Sequence, residues 1–286
     1  IDQDDTNTNG VILSDPSANL SRTNSKSVIV GTSDLSGSLD GVVSTAGNGG
    51  EGAILAGGSF RNCTIQGNKG SFAGALYQEG ELFSFVFCDI LNNEGSNVGA
   101  ISAYGLSGAQ IVSCKIQGNL ATKANSSISV GAIHSGQGDL QITNCLISGN
   151  SGNNNGAIVQ RTSGTLRIDN TTIAHNLARS SASVYDEAGG VGMASGTTNY
   201  YDNVLVWGNQ KNGVSDNVSG SYSSDESLIE GDSSSSLDGT DVANDPLFMS
   251  PVAASSAPTS SGDYRLPGTS PAVDAGDAIE NPDDDV

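Results

Sequence analysis

Basic residues are scarce in this chain: 11 Lys+Arg face 31 Asp+Glu, a formal net charge of −20. Nucleic-acid binding depends on neutralising phosphates with cationic side chains, so this balance excludes nucleic acid as a partner. It also disfavours an anionic lipid surface. Solubility, divalent cations and a cationic partner remain compatible with it. No apolar run approaches the roughly 18 residues that cross a bilayer, so no membrane insertion is expected. Proline (7) and tryptophan (1) are rare, aromatics reach 5% and charged residues only 15%. Disordered chains pair high charge with few β-branched residues. Here charge is low and Ile and Val recur at regular intervals, which points to a packed core. Glycine is abundant (38), and many short apolar segments set between Gly, Asn and Ser carry an all-β signature.

The intervals are those of a repeat. Cys63-Thr64-Ile65-Gln66-Gly67-Asn68 returns as Cys88-Asp89-Ile90-Leu91-Asn92-Asn93, then from Cys114 to Asn119, Cys145 to Asn150, Thr171 to Asn176 and Val204 to Asn209. Successive Asn positions differ by 25, 26, 31, 26 and 33 residues. Gly-Ala-Ile or a close variant begins at Gly52, Gly74, Gly99, Gly131 and Gly156, with Gly190-Val191-Gly192 in the sixth place. Large residues precede the Cys position by three: Phe60, Phe85, Ile111, Ile142, Ile168 and Tyr201. Within a unit, Leu140, Ile142, Cys145 and Ile147 alternate with polar residues around a bend at Thr143-Asn144, which is strand periodicity broken by a corner.

A unit of this length cannot bury its apolar face alone, whereas stacked parallel copies share a continuous core. The expected fold is all-β: a right-handed parallel β-helix (β-solenoid) of about seven coils with irregular terminal caps. Residues 1–50 would form an N-terminal cap and first coil, 51–210 the regular coils and 211–286 a Ser/Asp-rich C-terminal cap region. Asn68, Asn93, Asn119, Asn150, Asn176 and Asn209 would form one ladder, at a corner where Asn tolerates the left-handed conformation. Extra residues fall at one place, roughly 120–130 and 177–189, and read either as a binding edge or as drift in a surface loop.

Cys63, Cys88, Cys114 and Cys145 share a column, with Thr171 and Val204 in the same place. Parallel Cβ vectors suit a disulfide poorly, so a buried thiol ladder is expected at a position that asks for a small, fairly apolar group. Asp5, Asn7 and Asn9 have the alternating oxygens of a calcium loop, but Pro16 takes the place of the bidentate Glu; a flexible acidic terminus is the other reading. No other cofactor is indicated. His134 and His175 lack a Ser, Cys or carboxylate partner at diagnostic spacing. A polysaccharide lyase would show carboxylates with a Lys or Arg base on one face. The basic residues are scattered along the sequence, leaving Asp186-Glu187, in the longer insertion, as the one paired carboxylate near a cleft rim.

The pairing of Gly131-Ala132-Ile133 with Ile147-Ser148-Gly149-Asn150, and Asn62-Cys63-Thr64-Ile65-Gln66-Gly67-Asn68, resembles the repeats of the chlamydial polymorphic outer-membrane proteins and related β-helix surface proteins, over about 50–210. Ser227-Leu228-Ile229-Glu230-Gly231-Asp232, Asp245-Pro246-Leu247-Phe248, Gly262-Asp263-Tyr264-Arg265-Leu266 and the run from Thr269 to Gly276 resemble the region that follows the β-helix in choice-of-anchor Q proteins. The resemblance implies an exported, surface-associated protein and no chemistry of its own. The start at Ile1 fits a mature chain whose signal is cleaved, and the end at Val286 falls before any anchor. Sequons stand at Asn19, Asn62, Asn125, Asn170 and Asn217. The functional expectation is a non-enzymatic, secreted structural or adhesive surface protein, with head-to-tail self-association into a fibre as one variant and a glycan or host surface as partner. The alternative is a carbohydrate-binding or polysaccharide-cleaving module.

Overall fold

The computed structural model describes residues 58–80, 82–124, 126–180, 187–235 and 237–276, preceded by short strands at Val11–Ile12, Ile29–Val30, Ser38–Asp40, Val43–Thr45, Asn48–Gly49 and Ile54–Leu55. The chain is a parallel β-helix. Each coil gives one short strand to each of four sheets, here called I to IV in chain order. One coil runs Leu76–Glu79 (I), Phe83–Val86 (II), Asp89–Leu91 (III) and Glu94–Gly95 (IV), and the next begins at Ile101–Tyr104. The sheets hold nine, eight, eight and eight strands. Among the described strands pairing is parallel, except where Gln210–Lys211 turns back on Val214–Ser215.

Register follows from the repeat. Ile65, Ile90, Ile116, Ile147, Ile173 and Val206 lie over one another in sheet III. Leu76, Ile101, Ile133, Ile158 and Val191 do so in sheet I. The column of large residues from Phe60 to Tyr201 forms sheet II's inner row. A one-residue slip would turn every one of these side chains outward, so the apolar columns fix the pairing. All three columns meet in one core, where the Phe60 and Phe85 rings stack at 4.9 Å. The Gly-Ala-Ile column is tightly packed: a Cβ on Gly99 would lie 2.0 Å from the Gly131 carbonyl oxygen, and one on Gly131 equally close to that of Gly156.

The left-handed residues are not the ladder asparagines. They stand one position earlier, at Gly67, Asn92, Gly118, Gly149, His175 and Gly208, and at Asn62, Phe87, Ser113, Asn144, Asn170 and Asn203 just before the Cys column. The corner needs positive φ at the residue that turns, while the ladder Asn has a different task, described below. Parallel pairing also continues past residue 210: Val218 pairs with Val191, Ser223 with Tyr200 and Leu228 with Leu205.

Beyond Ile229 the chain does more than close the end of the stack. Leu237 bridges to Leu228, and the Tyr222 hydroxyl donates to Asp232. The chain then runs back as a strap along the outer face of sheet III. There Phe248 and Tyr264 pack with Ala174 and Leu205, flanked by Leu146, Trp207, Leu266 and Ala272. Further along, the Thr259 N–H donates to the Gly149 carbonyl and Asn92 Nδ2 to Ser260 Oγ. The strap passes so close that a Cβ on Gly149, already at φ +60°, would lie 2.1 Å from the Thr259 oxygen. The two insertions leave the stack at the same corner, between sheets IV and I. The first lies against its neighbours through Asn97 Nδ2, which donates to Ser126 Oγ and the Ile128 carbonyl, and through Arg161, which donates to the Ser127 carbonyl.

Candidate functional site

Two internal columns make the stack rigid. From Asn93 to Asn209 each Oδ1 accepts from both the backbone N–H and the Nδ2 of the Asn one coil earlier; Asn119 receives Asn93 in this way at 3.0 and 3.0 Å. Each interior Nδ2 spends its second proton on an Ile carbonyl of the previous coil, as Asn119 does on Ile90 and Asn150 on Ile116. The six side chains are at most 1% exposed. Every amide group of an interior member is satisfied, which makes a buried polar column stabilising instead of costly. The ladder has a seventh member that the sequence pattern hides. Asn217, only eight residues after Asn209, accepts from its N–H and Nδ2 and passes its own Nδ2 to Glu230. Asn217 was readable as a sequon, but it is 5% exposed and fully engaged.

The Cys column answers to hydrogen bonding as well as size. The thiols of Cys63, Cys88, Cys114 and Cys145 are free and buried. Each donates to the carbonyl two residues earlier: Arg61, Val86, Val112 and Thr143. Each of Cys88, Cys114 and Cys145 also donates its N–H to the side chain one coil on: Cys114 Sγ, Cys145 Sγ and Thr171 Oγ1. Thr171 and Ser227 repeat the donor half, to Asp169 and Asp225. An S–H or O–H is what the place needs, and Val204 is its one member in these coils without such a group. Hydrogen bonding to Cys145, with burial, pushes the Cys114 thiol up to about 12, and the equivalent contact with Cys114 raises Cys88 further. Cys88 and Cys114 therefore stay protonated, while the hydrogen bond with Cys114 lowers Cys145 against the opposing effect of burial.

Exposed chemistry gathers on the outer face of sheet II, and the register creates it. Gln141, Arg167 and Tyr200 are lateral neighbours, as are Thr143, Asp169, Asp202 and Asp225. Asp169 is 6% exposed. Its Oδ2 takes Arg167 Nε at 3.0 Å and Gln141 Nε2 at 3.4 Å. Arg167 Nη2 also lies 3.7 Å from Asp202 Oδ2. The two carboxylates hold the guanidinium, and the half-exposed Tyr200 is the register neighbour of Arg167 on the next strand. Donors, acceptors and an aromatic face on rigid strands suit a ligand rich in hydroxyls. Scatter along the sequence is thus not scatter in space: Arg167, Asp169 and Asp202 form a basic–acidic group on one face. The signal was present, since Asp169 and Asp202 each directly follow the inward residue of their coil, Ile168 and Tyr201.

The other residues singled out in sequence fall elsewhere. Asp5, Asn7, Asn9 and Asp186 lie outside the described residues. Glu187 is on no cleft rim; it is 5% exposed, paired with Lys211 and hydrogen-bonded by Asn154. His134 is buried on sheet I with Nδ1 3.2 Å from Ser102 Oγ, and burial, helped by the Arg161 charge, lowers its pKa to about 3. A partner for His134 does exist, in the strand paired with its own, at a spacing set by the coil. His175 occupies a left-handed corner and packs on Phe248 and Tyr264; burial lowers its pKa against the opposing pull of Glu230 and Asp245. Among the described residues no three His, Cys, Asp or Glu side chains are placed to hold a metal ion, and no helix is long and apolar enough to cross a membrane. A cleft of about 390 Å³ lies between the strap and the sheet II–III corner, bordered by Asn170, Asn203, Glu226, Leu266 and Asp274. No family model, curated protein or solved structure matches the chain.

Proposed function

We propose that this chain is an extracellular structural and adhesive rod, a surface protein that holds a hydroxyl-rich polymer such as a glycan on the outer face of sheet II. The reading is supported chiefly by the Asn ladder from Asn68 to Asn217, an unbroken buried column that ties each coil to the next. Such a column makes a stiff scaffold, and stiffness is what lets a flat, in-register face keep its side chains at the strand spacing of about 4.8 Å. The polar strip with Tyr200 supplies stacking and hydrogen bonding, and the net charge favours neutral or cationic glycans over acidic ones. The likeness of the repeats to those of bacterial surface proteins agrees with display outside the cell.

The test is retention of the protein on immobilised polysaccharides of different charge, with released sugar measured in the same wells. Retention without release, lost in Tyr200→Ala and Arg167→Ala variants that keep the native circular dichroism, is the expected result. Sugar release that depends on Arg167 or Asp202 would replace adhesion with cleavage. Retention indifferent to both variants would remove the proposed face.

A further inference from the structure

The buried group around Glu187 has a geometry that an ion pair alone does not require. Glu187 comes from the end of the second insertion, and its side chain is 2% exposed. One oxygen, Oε2, lies 3.0 Å from Lys211 Nζ; the other, Oε1, accepts from Asn154 Nδ2 at 3.1 Å. Oε2 has the amine close by but no hydrogen bond of regular direction. Asn154 is itself 4% exposed, and its Oδ1 is buried without a partner. Lys211 stands in the column where the preceding coils carry the small residues Gly152 and Ala178. A single buried carboxylate therefore gathers a mostly covered primary amine and a buried primary amide.

We propose that Lys211 and Asn154 become joined by an amide bond formed by the folded protein itself, with Glu187 as the proton carrier. In the first step Glu187 takes a proton from the Lys211 ammonium 3.0 Å away, which frees the nitrogen lone pair. A half-turn of the Asn154 amide, whose N and O have the same shape, brings Oδ1 to the protonated carboxyl, which donates to it and polarises Cγ. The Lys211 nitrogen lone pair then adds to Cγ. Collapse of the adduct breaks the Cγ–Nδ2 bond, and Glu187 carries the proton released by the attacking nitrogen to the departing one. The products are a Lys211 Nζ–Asn154 Cγ amide and ammonia, which leaves as ammonium with the proton first taken from Lys211, so that Glu187 returns to the carboxylate it began as. No oxidant, metal or cofactor enters the balance. Holding amine and amide on one carboxylate replaces a bimolecular encounter with an intramolecular one, which is the large term for such a reaction. Asp216, whose pKa is raised by burial against the Lys211 charge and with that of Glu187, is not needed for the transfer. The bond would tie the corner before Gly156 to the coil two strands further on and lock the second insertion between them.

The experiment is intact-mass spectrometry of the purified full chain after prolonged incubation in the folded state, followed by proteolysis and fragmentation. The expected mass is that of the sequence less one ammonia, and the loss maps to a branched peptide containing residues 154 and 211. Glu187→Gln, which keeps the shape, and Lys211→Arg are expected to show the full mass with unchanged circular dichroism. A native chain of full mass overturns the proposal. So does a lost ammonia that maps to a linear peptide, such as one cyclised at Asn212-Gly213, or a branched peptide that persists undiminished in Glu187→Gln.

Discussion

Replacing Asn119 by Ala removes one rung from the middle of the buried amide column, and the cost can be counted atom by atom. The backbone N–H and one Nδ2 proton of Asn93 lose their acceptor. The Ile90 carbonyl loses a donor. Asn150 Oδ1 keeps the backbone N–H of residue 119 and loses the side-chain one. With buried unsatisfied groups worth about 1–3 kcal/mol each and some relaxation by neighbours, the loss should be about 3–5 kcal/mol. Asn119→Asp separates hydrogen bonding from packing. The carboxylate still accepts from Asn93 but faces the Ile90 and Gln117 carbonyls that Nδ2 served, so its folded-state pKa lies above the unfolded value of about 3.9. A raised pKa means that the folded state holds the proton more tightly. Stability of the Asp variant is therefore near wild type below pH 4 and declines as pH rises towards 7. Urea titration followed by circular dichroism reads both effects as shifts in midpoint at unchanged slope. A loss under about 1 kcal/mol for the Ala variant, or a pH-independent midpoint for the Asp variant, would show that the column is not what binds the coils.

Gly149→Ala and Gly67→Ala adopt the same left-handed conformation, but only the first meets the strap, 2.1 Å from the Thr259 oxygen, while the second has nothing within 4 Å. Gly67→Ala should cost about 1 kcal/mol and Gly149→Ala clearly more, measured by urea midpoints; equal costs would mean the strap is not docked there. Tyr264→Ala removes a ring from the cluster against which Trp207, the only tryptophan, packs; its expected signature is red-shifted emission and early proteolysis within 230–276, at a cost of about 3–5 kcal/mol if the strap detaches as a unit. His134 has a folded pKa lowered to about 3 from 6.5, so the folded state binds fewer protons, and its contribution is complete above pH 6.5 and is lost as pH falls towards 3. Between pH 6.5 and 4.5 the drop should be about 2 kcal/mol and absent in His134→Gln; a flat profile for the wild type would contradict the burial of that ring.

The stack was legible because its determinants are local and periodic. The Ile65–Ile90–Ile116 spacing and the Phe60–Phe85 spacing each specify which residue lies over which, and pairing followed. What depended on two columns at once was not legible. The chemical demand of the Cys position became readable only with Ser227, one coil beyond the recognised repeat, and with carbonyl partners that no residue pattern displays. Asn217 was masked by its short separation from Asn209, because the chain turns back at Val214–Ser215 before completing the rung. The strap was invisible for a different reason: Phe248 and Tyr264 are few, aperiodic residues whose partners, Ala174 and Leu205, face outward and look like surface positions in the alternation. The Arg167–Asp169–Asp202 group lay between these cases, available from register but not from spacing along the chain.

The most direct measurement of the stacking is the distance between spin labels at Ser59→Cys and Tyr200→Cys, with the four native cysteines changed to Ser to keep a hydroxyl donor in their column. The two sites are far apart in sequence and five strand steps apart along sheet II's outer face. Parallel coils in the stated register give a single narrow distribution centred near 24 Å between label attachment points. A broad distribution, or one centred beyond about 40 Å, would contradict that register.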